Sequence, residues 1–568
     1  MTQARRIWLG SALLIVFLAG CTDTSEMITT QAPRTDRISA TFDAEGIPDR
    51  LSEQKSPGYL GMTNEQLFSK GERSNNTFFV GLKLPGSSRG YHLGRLLIDK
   101  ESQVRLSEQF ARIANVEVVG RDSLLPIVRI KISSSEAVAT LRRLPFVDYV
   151  EPVAIEVKGY SASGCGWPPA SAPFQFNSTY GTYVPQSFVN SKIDLAWSGN
   201  RGQGVKIGLT DTGILPSHYS MMLNFSSGSS TGRSIAQTNN IPGSPTPTYC
   251  SHGARMGSAM AGPLNGSGVP GVAWQADVHS AIGGNDVLGV GYQFDAIRAA
   301  DAANAKIIAM AWGSDNFSIP ILDELLRLWV QRDVLLVAAA GTSQAWLPNN
   351  YVVFPANLSF VLAVSAANLD GNRNAASHHG SELDIVAYTP VGIPYFAYGY
   401  GESEIGNSSA ATAVVSGVAA LVRKRYPGYT NLEVFNKLKT TAGSTCGISS
   451  AFGPIVNALA AIGSFCTTTQ VASPLVTFDS VGSPSQTVTV SAFPNTTGNA
   501  VTYAWSTGAT TPSISFVVSP GTAGHETAAA FYTVTVTDTY TGLQRSASGS
   551  IRVRTGPFPP GNCGEYAC

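Results

Sequence analysis

The chain is short of charge for its length of 568 residues. Only 13% of its residues are Asp, Glu, Lys or Arg, and 38 basic side chains face 38 acidic ones. With no excess of either sign, nothing in the overall charge favours a polyanion, and no nucleic-acid partner is expected. A hydrophobic content of 43% excludes a chain that stays disordered for want of apolar surface to bury. Past the N-terminus there is no apolar run of the roughly 20 residues that a membrane-spanning helix needs. The seven cysteines never fall in the paired spacing of a zinc site.

What is present begins with an address. Arg5 and Arg6 precede "IWLGSALLIVFLAG", which is too short for a comfortable membrane span and reads as an export signal. It ends in Leu18-Ala19-Gly20-Cys21, which resembles the bacterial lipoprotein cleavage box. That resemblance implies a signal peptide over 1–20 and a lipid on Cys21 that anchors the chain to a membrane of the cell envelope. The other reading is an ordinary signal followed by a chance cysteine. Six cysteines remain: Cys165, Cys250, Cys446, Cys466, Cys563 and Cys568. An even number in an exported chain suggests disulfides, with fifteen connectivities open. Proximity in sequence favours Cys446 with Cys466 and Cys563 with Cys568, leaving Cys165 with Cys250.

The texture of the chain changes four times. Residues 21–75 are polar and lack apolar periodicity, so they read as a tether. Over 76–157 strands and helices alternate as βαββαβ, from "TFFVGLKL" to "VDYVEPVAIEV", the order of a small ferredoxin-like α+β unit. Residues 158–190 are a Gly-, Ser- and Pro-rich connection, which opens a third unit spanning 158–465. After residue 200 that unit alternates apolar strands such as "VKIGLT", "AKIIAMA" and "DVLLVAAA" with helical stretches such as "IPILDELLRLWVQR". Near-continuous apolar strands joined by helices predict an α/β fold, a mostly parallel sheet covered on both faces. From 466 to 568 the period is two, in short Thr/Val/Ser strands that predict an Ig-like β-sandwich.

Three stretches of the third unit carry chemistry. "VKIGLT" runs into Asp211-Thr212-Gly213, which places a carboxylate at the carboxyl edge of the sheet, where open α/β sheets build their sites. In "SHGARMGSAMAG", His252 heads a helix of very small residues that can pack closely and hold an imidazole rigidly. "GNSSAATAVVSGVAALV" (406–422) is an apolar helix with two serines at its front. Taken singly, such an Asp or Ser is most often a cap or turn residue. Together they offer a nucleophile, a base whose ordinary pKa suits proton transfer near neutrality, and a carboxylate to orient that base.

These motifs resemble those of subtilisin-like serine proteases, the subtilases. "GVKIGLTDTGI" is similar to the family's aspartate motif, "HGARMGSAMAG" to its histidine motif and "GNSSAATAVVSGVAALV" to its serine motif, with "GVPGVAW", "IIAMAWGS", "VLLVAAAGT", "VVFPA", "FVLAVSAAN" and "ELDIVAY" following in the family's order. The resemblance covers residues 180–465. It implies an exported, self-processed endopeptidase with Ser408 as nucleophile, His252 as general base and then acid, and Asp211 as orienter. It further implies that Ala311, Trp312 and Gly313 pair with the substrate backbone, and that Ala339, Ala340 and Gly341 wall the primary pocket. The unit at 76–157 resembles the subtilase propeptide, a folding template and inhibitor. Expected partners are thus protein or peptide substrates, the chain's own propeptide and, through Cys21, a membrane, with release to the exterior after propeptide cleavage.

The departures are specific. Thr342 stands where the family places its oxyanion asparagine, with Asn349 and Asn350 a few residues on. Asn407 replaces Thr before the nucleophile, Thr412 replaces Pro after it, and Ala254 follows His252-Gly253 where Thr is usual. They leave a second reading, a subtilase-fold surface protein with a binding or adhesion role. Calcium is common in the family, but no Asp-rich loop here can be assigned to it. The His378-His379 pair reads as polar loop rather than metal ligand. No cofactor is expected.

Overall fold

The computed structural model describes residues 58–83, 100–157, 174–214, 234–240, 251–264, 269–285, 290–343, 349–389, 391–395, 401–443, 449–450, 453–464, 469–494, 496 and 498–556. The signal segment, Cys21 and the six further cysteines lie outside these residues.

The N-terminal unit begins earlier than the sequence periodicity suggests. Residues 58–74, expected as the end of the tether, form a short 3-10 turn and helix α1 (Asn64–Gly71). Thr63 and Gln66 close a capping box at its start, which satisfies two of the helix's orphan amides. Tyr59 and Leu67, two apolar residues too few to show a period, bury it. Four antiparallel strands follow, β1 (Thr77–Leu82), β2 (Val116–Arg121), β3 (Ile127–Ile132) and β4 (Val147–Pro152), in spatial order β2-β3-β1-β4. Helices α2 (Lys100–Phe110) and α3 (Ser135–Arg143) connect them, and a short strand β5 (Ile155–Glu156) leaves the sheet.

Residues 206–388 build a seven-stranded sheet that is parallel throughout. Its strands are β6 (Lys206–Asp211), β7 (Ile235–Asn239), β8 (Asp277–Ile282), β10 (Ile307–Met310), β11 (Leu335–Ala339), β12 (Leu362–Ala367) and β13 (Ile385–Tyr388), in order β13-β12-β11-β10-β6-β8-β7. A short β9 (Val290–Gly291) stands outside this sheet. The four central strands β6, β10, β11 and β12 are buried almost residue for residue, as a sheet covered on both faces requires. Helices α4 (His252–Ala261), α5 (Gln293–Ala302), α6 (Ile319–Gln331) and α7 (Asn407–Arg425) pack around them. Helix α7 is buried from Ser408 to Arg423. Its small residues permit this depth: a Cβ on Gly417 would lie 2.6 Å from Val272 Cβ and 2.9 Å from the Met260 carbonyl.

The N-terminal unit is docked on α5 and α6. Strand β5 pairs antiparallel with β9, and Phe79 meets Phe294 with ring centroids 4.9 Å apart. Arg129 forks onto Asp295, and Arg298 bonds Asp122 at 3.0 Å. The buried Glu151 accepts from the Ile319 amide (3.1 Å) and the Ser318 hydroxyl (2.9 Å). Ser318 itself makes no side-chain cap, so a carboxylate from the other unit caps α6, at the helix end where negative charge is favoured. At the C-terminal end, residues 470–555 form a three-stranded and a four-stranded sheet around their own apolar core, centred on Trp505, Tyr532 and Val534.

Candidate active site

Because the strands run parallel, their carboxyl ends share one edge, and the candidate residues gather there. Asp211 is the last residue of β6. The turn after it does two jobs. The Thr212 hydroxyl accepts from the Gly253 amide at 2.9 Å, and the Gly213 carbonyl accepts from the Ser251 hydroxyl at 2.8 Å. Ser251 also caps α4 through the Ala254 amide. The start of α4 is thereby clamped to the end of β6, and no side chain fits between them. A Cβ on Gly253 would lie 2.7 Å from the Gly213 backbone and 3.2 Å from Asp211 Cβ.

This clamp presents His252 to Asp211. The imidazole Nδ1 lies 2.9 and 3.0 Å from the two carboxylate oxygens, with Asp211 0% and His252 5% exposed. Asp211 also accepts from the Thr212 amide at 2.7 Å. A carboxylate so held can only accept, so Nδ1 carries the proton and the ring is fixed in one tautomer and orientation.

Ser408 lies in the first turn of α7 and is wholly buried. Its hydroxyl donates to the Gly341 carbonyl at 2.7 Å. The Thr342 hydroxyl is 2.9 Å from Ser408 Oγ, and since Ser408 gives its single proton to Gly341, Thr342 is the donor of that second bond. Ser409 is turned away, bonding the Ala311 carbonyl at 2.8 Å. The structure thus forms the Asp–His half of the constellation and holds the serine against the Gly341-Thr342 turn.

The departures find local reasons. Asn407 has φ +64°, a left-handed conformation that Asn tolerates and β-branched Thr does not. The Thr412 hydroxyl donates to the Ser408 carbonyl at 2.7 Å. Asn349 is already engaged, donating to the Ala375 carbonyl at 2.7 Å and accepting from Arg373 at 3.0 Å, which holds it against the 373–379 loop. The two histidines part company. Both lie in a loop, as expected, but His378 is buried edge-on to Tyr351, whereas His379 contacts Arg373. Among the described residues no group of three or more His, Cys, Asp or Glu is placed to hold a metal ion. Also among them, no helix is long and apolar enough to cross a membrane.

One residue beside these segments escaped the sequence reading. Val353 lies between the segment that follows β10 and the one that follows β11. A Cβ on Gly313 would overlap Val353 Cγ2, and one on Gly341 would lie 3.1 Å from its Cγ1. In sequence, "VVFPA" shows only a short apolar run.

Known proteins resemble this chain in sequence. The profile of the subtilase family, peptidase S8, matches residues 202–454. Alkaline elastase YaB of Bacillus sp. (strain YaB) is 30% identical over 58% of this chain and 84% of its own. Subtilisin Savinase of Lederbergia lenta is 32% identical over 46% of this chain and 92% of its own. In the crystal structure of MycP1 from Mycobacterium smegmatis, the aligned part covers 52% of this chain and 88% of that one at 17% identity, with a TM-score of 0.40. The chain belongs to the subtilase family and is a serine-type, subtilisin-like endopeptidase.

Proposed function

We propose that the enzyme cleaves peptide bonds through an acyl-enzyme on Ser408. His252 Nε2 takes the hydroxyl proton as Ser408 Oγ attacks the scissile carbonyl, then returns it to the leaving amine. Asp211 keeps the ring oriented and stabilises the imidazolium. For this the Ser408 hydroxyl must swap its bond to the Gly341 carbonyl for one to His252, a rotation about χ1 that substrate binding would drive; hydrogen bonds of this kind often tighten only with substrate in place. The oxyanion falls to the Thr342 hydroxyl and to the Ser408 amide, which lies in the first helical turn, where amides have no helical acceptor. Ala311, Trp312 and Gly313 bind the substrate backbone, and Ala339, Ala340 and Gly341 wall the primary pocket. The observation that carries this reading is the two-oxygen contact of Asp211 with His252 Nδ1, both buried.

The unit ending at residue 157 is proposed as the propeptide, and the protein as a zymogen that cuts itself. Support comes from strand β5, which lies against β9 as an extended peptide would, and from the charged contacts with α5 and α6. Export and a lipid on Cys21 complete the proposal: cleavage between the units would free the catalytic domain from its anchor. The C-terminal sheets are read as an Ig-like sandwich. One observation favours a second reading, a binding protein that does not turn over: the nucleophile's proton is engaged by Gly341.

A fluorophosphonate probe separates the two. It should label Ser408 of the folded protein freed of its N-terminal unit, and Ser408→Ala should abolish both labelling and peptide cleavage. Folded protein that resists the probe would favour the binding reading. Cell fractionation of the same pair tests release, since equal membrane retention of both catalytic domains argues against it.

A further inference from the structure

Helix α1 and the 3-10 turn before it stand outside the βαββαβ order, and they touch more than the unit they open. The segment is fixed to that unit at several points. A Cβ on Gly71 would overlap the Phe78 ring of β1, and the Ser74 hydroxyl donates to the Thr77 carbonyl at 2.9 Å. Arg142 of α3 donates to the Met62 carbonyl at 2.7 Å and to the Tyr59 carbonyl at 3.1 Å. From this footing the segment meets β5. The hydroxyl of the buried Tyr59 accepts from the Glu156 amide at 3.3 Å. Lys70 Nζ lies 2.6 Å and Arg73 3.3 Å from one oxygen of the Glu156 carboxylate. The other oxygen accepts from Asn316 of the catalytic unit at 3.2 Å. The front of the segment rests on that unit directly. Gly58 has φ +56°, and a Cβ there would lie 2.6 Å from the carbonyl oxygen of Phe317 and 3.0 Å from its Cβ. Phe317 is itself buried against Phe354.

Strand β5 needs such support. It is two residues long and pairs with β9 only through Ile155 with Gly291 and Glu156 with Val290. The proposed cut between the units turns the chain beyond it into an end, and chain ends fray unless tied down. The ion pairs are a weak tie, because Lys70 and Glu156 are each 33% exposed and Arg73 51%, and such pairs contribute little. The buried contacts decide it, Tyr59 on β5 and Gly58 on Phe317, since desolvated aromatic anchors dominate the energy of an interface. We propose that residues 58–74 are a strap, which keeps the N-terminal unit seated on the catalytic unit after the connecting bond is cut and so sets the delay before activity. This rests on the reading of the N-terminal unit as a propeptide, and it adds to that reading the residues that govern release.

The test takes the full chain after the cut and dilutes it into peptide substrate. The lag before steady hydrolysis is recorded, with fluorophosphonate titration of active sites alongside. Gly58→Val puts a β-branched side chain at a left-handed φ and against Phe317, and Tyr59→Ala deletes the buried anchor. Each should shorten the lag by ~30-fold or more, the effect of losing one hot-spot side chain, with the final count of active sites unchanged. Tyr59→Phe keeps the ring and should stay within about tenfold of wild type. Lys70→Ala with Arg73→Ala should change the lag by no more than about fivefold. Gly58→Val also guards against a Tyr59→Ala chain that fails to fold, because its close neighbour is Phe317 rather than the core of the N-terminal unit. A wild-type lag in Gly58→Val and in any Tyr59→Ala that folds overturns the strap and leaves the propeptide reading standing. Cut wild type that hydrolyses peptide without a lag, its active sites fully titrated, takes down the propeptide reading and the strap with it.

Discussion

Thr342 is the residue on which the two readings of this site differ in sign. Its hydroxyl donates to Ser408 Oγ across 2.9 Å, so a group is already in place one atom away from where an oxyanion would form. Thr342→Val keeps the shape and deletes the donor. If the hydroxyl serves the oxyanion, its loss costs the 2.7–4 kcal/mol that one such donor is worth, or about 100–1000-fold in kcat at 1.36 kcal/mol per decade. KM should hardly move, because the ground-state carbonyl gains little from this donor. If instead the hydroxyl only holds the resting serine, deleting a bond worth about 1 kcal/mol frees the nucleophile and raises the rate, by about 5-fold at most. The assay is steady-state hydrolysis of a peptide with alanine before the scissile bond, with active sites counted by fluorophosphonate titration. Thr342→Ser, which keeps the donor, should stay within about tenfold of wild type, and Thr342→Asn should restore the family's donor. A valine variant within about threefold of wild-type kcat, or faster, refutes the oxyanion role.

Two further substitutions probe the frame that holds the site, both for stability in the Ser408→Ala background, which under the proposed mechanism cannot digest itself. Gly253→Ala places a methyl 2.7 Å from the Gly213 backbone; it should cost about 1–3 kcal/mol in urea unfolding, and in the active background it should lower kcat by displacing His252 from Asp211. Unchanged stability and kcat would mean that the β6–α4 clamp is not tight. Asp301 lies in a buried cluster, accepting from Arg327 (2.6 Å) and Arg332 (2.9 Å). Burial alone would raise its carboxyl, but the hydrogen bonds and charges of those two arginines outweigh it and hold it below the usual range. A depressed carboxylate stabilises the fold above its ordinary pKa of about 3.9 and ceases to do so as pH falls through its folded value. Asp301→Asn should therefore cost about 3 kcal/mol at pH 7, with the gap to wild type closing as pH drops below about 4. A gap that stays constant down to pH 3 would show that the charge is not what Asp301 contributes.

The parts of the site that could be read from sequence are those whose geometry is enforced locally. Asp211 and His252 were legible only as members of a set, each sitting in a short polar-and-glycine run that alone reads as a cap or turn, and the clamp that joins those runs through Thr212, Gly213, Ser251 and Gly253 appears only in the fold. The central parallel strands were legible because burial on both faces removes the alternation that would otherwise confuse strand with helix. Helix α1 was missed because a capping box and two buried side chains stabilise it with too few apolar residues to show a period. Val353 was missed for a different reason. Its place beside Gly313 and Gly341 depends on β10 and β11 being neighbours and on a two-bond bridge from Phe354 to Ser314, 40 residues apart (354 − 314), and no local pattern encodes such a meeting.

The departures from the family around Ser408 bear on whether the site is adapted or decaying. A site released from function loses first what is costly to keep and useless to folding. A buried carboxylate is such a feature, because it destabilises the fold unless it is fully bonded. Asp211 is wholly buried and keeps three short bonds, two to His252 and one to the Thr212 amide. Each nearby replacement also supplies a function at its place instead of a gap. Asn407 accommodates the positive φ that aims the helix start, Thr412 adds a donor to the carbonyl of Ser408, and Thr342 keeps a donor beside the nucleophile. Random loss would not leave Asp211, Thr342 and Thr412 each within hydrogen-bonding distance of a partner. What changed is which side chains supply the donors, since Thr412 adds a hydroxyl where proline has none while Ala254 gives one up, and a site that exchanges polar groups while keeping its buried carboxylate fully bonded is altered rather than abandoned.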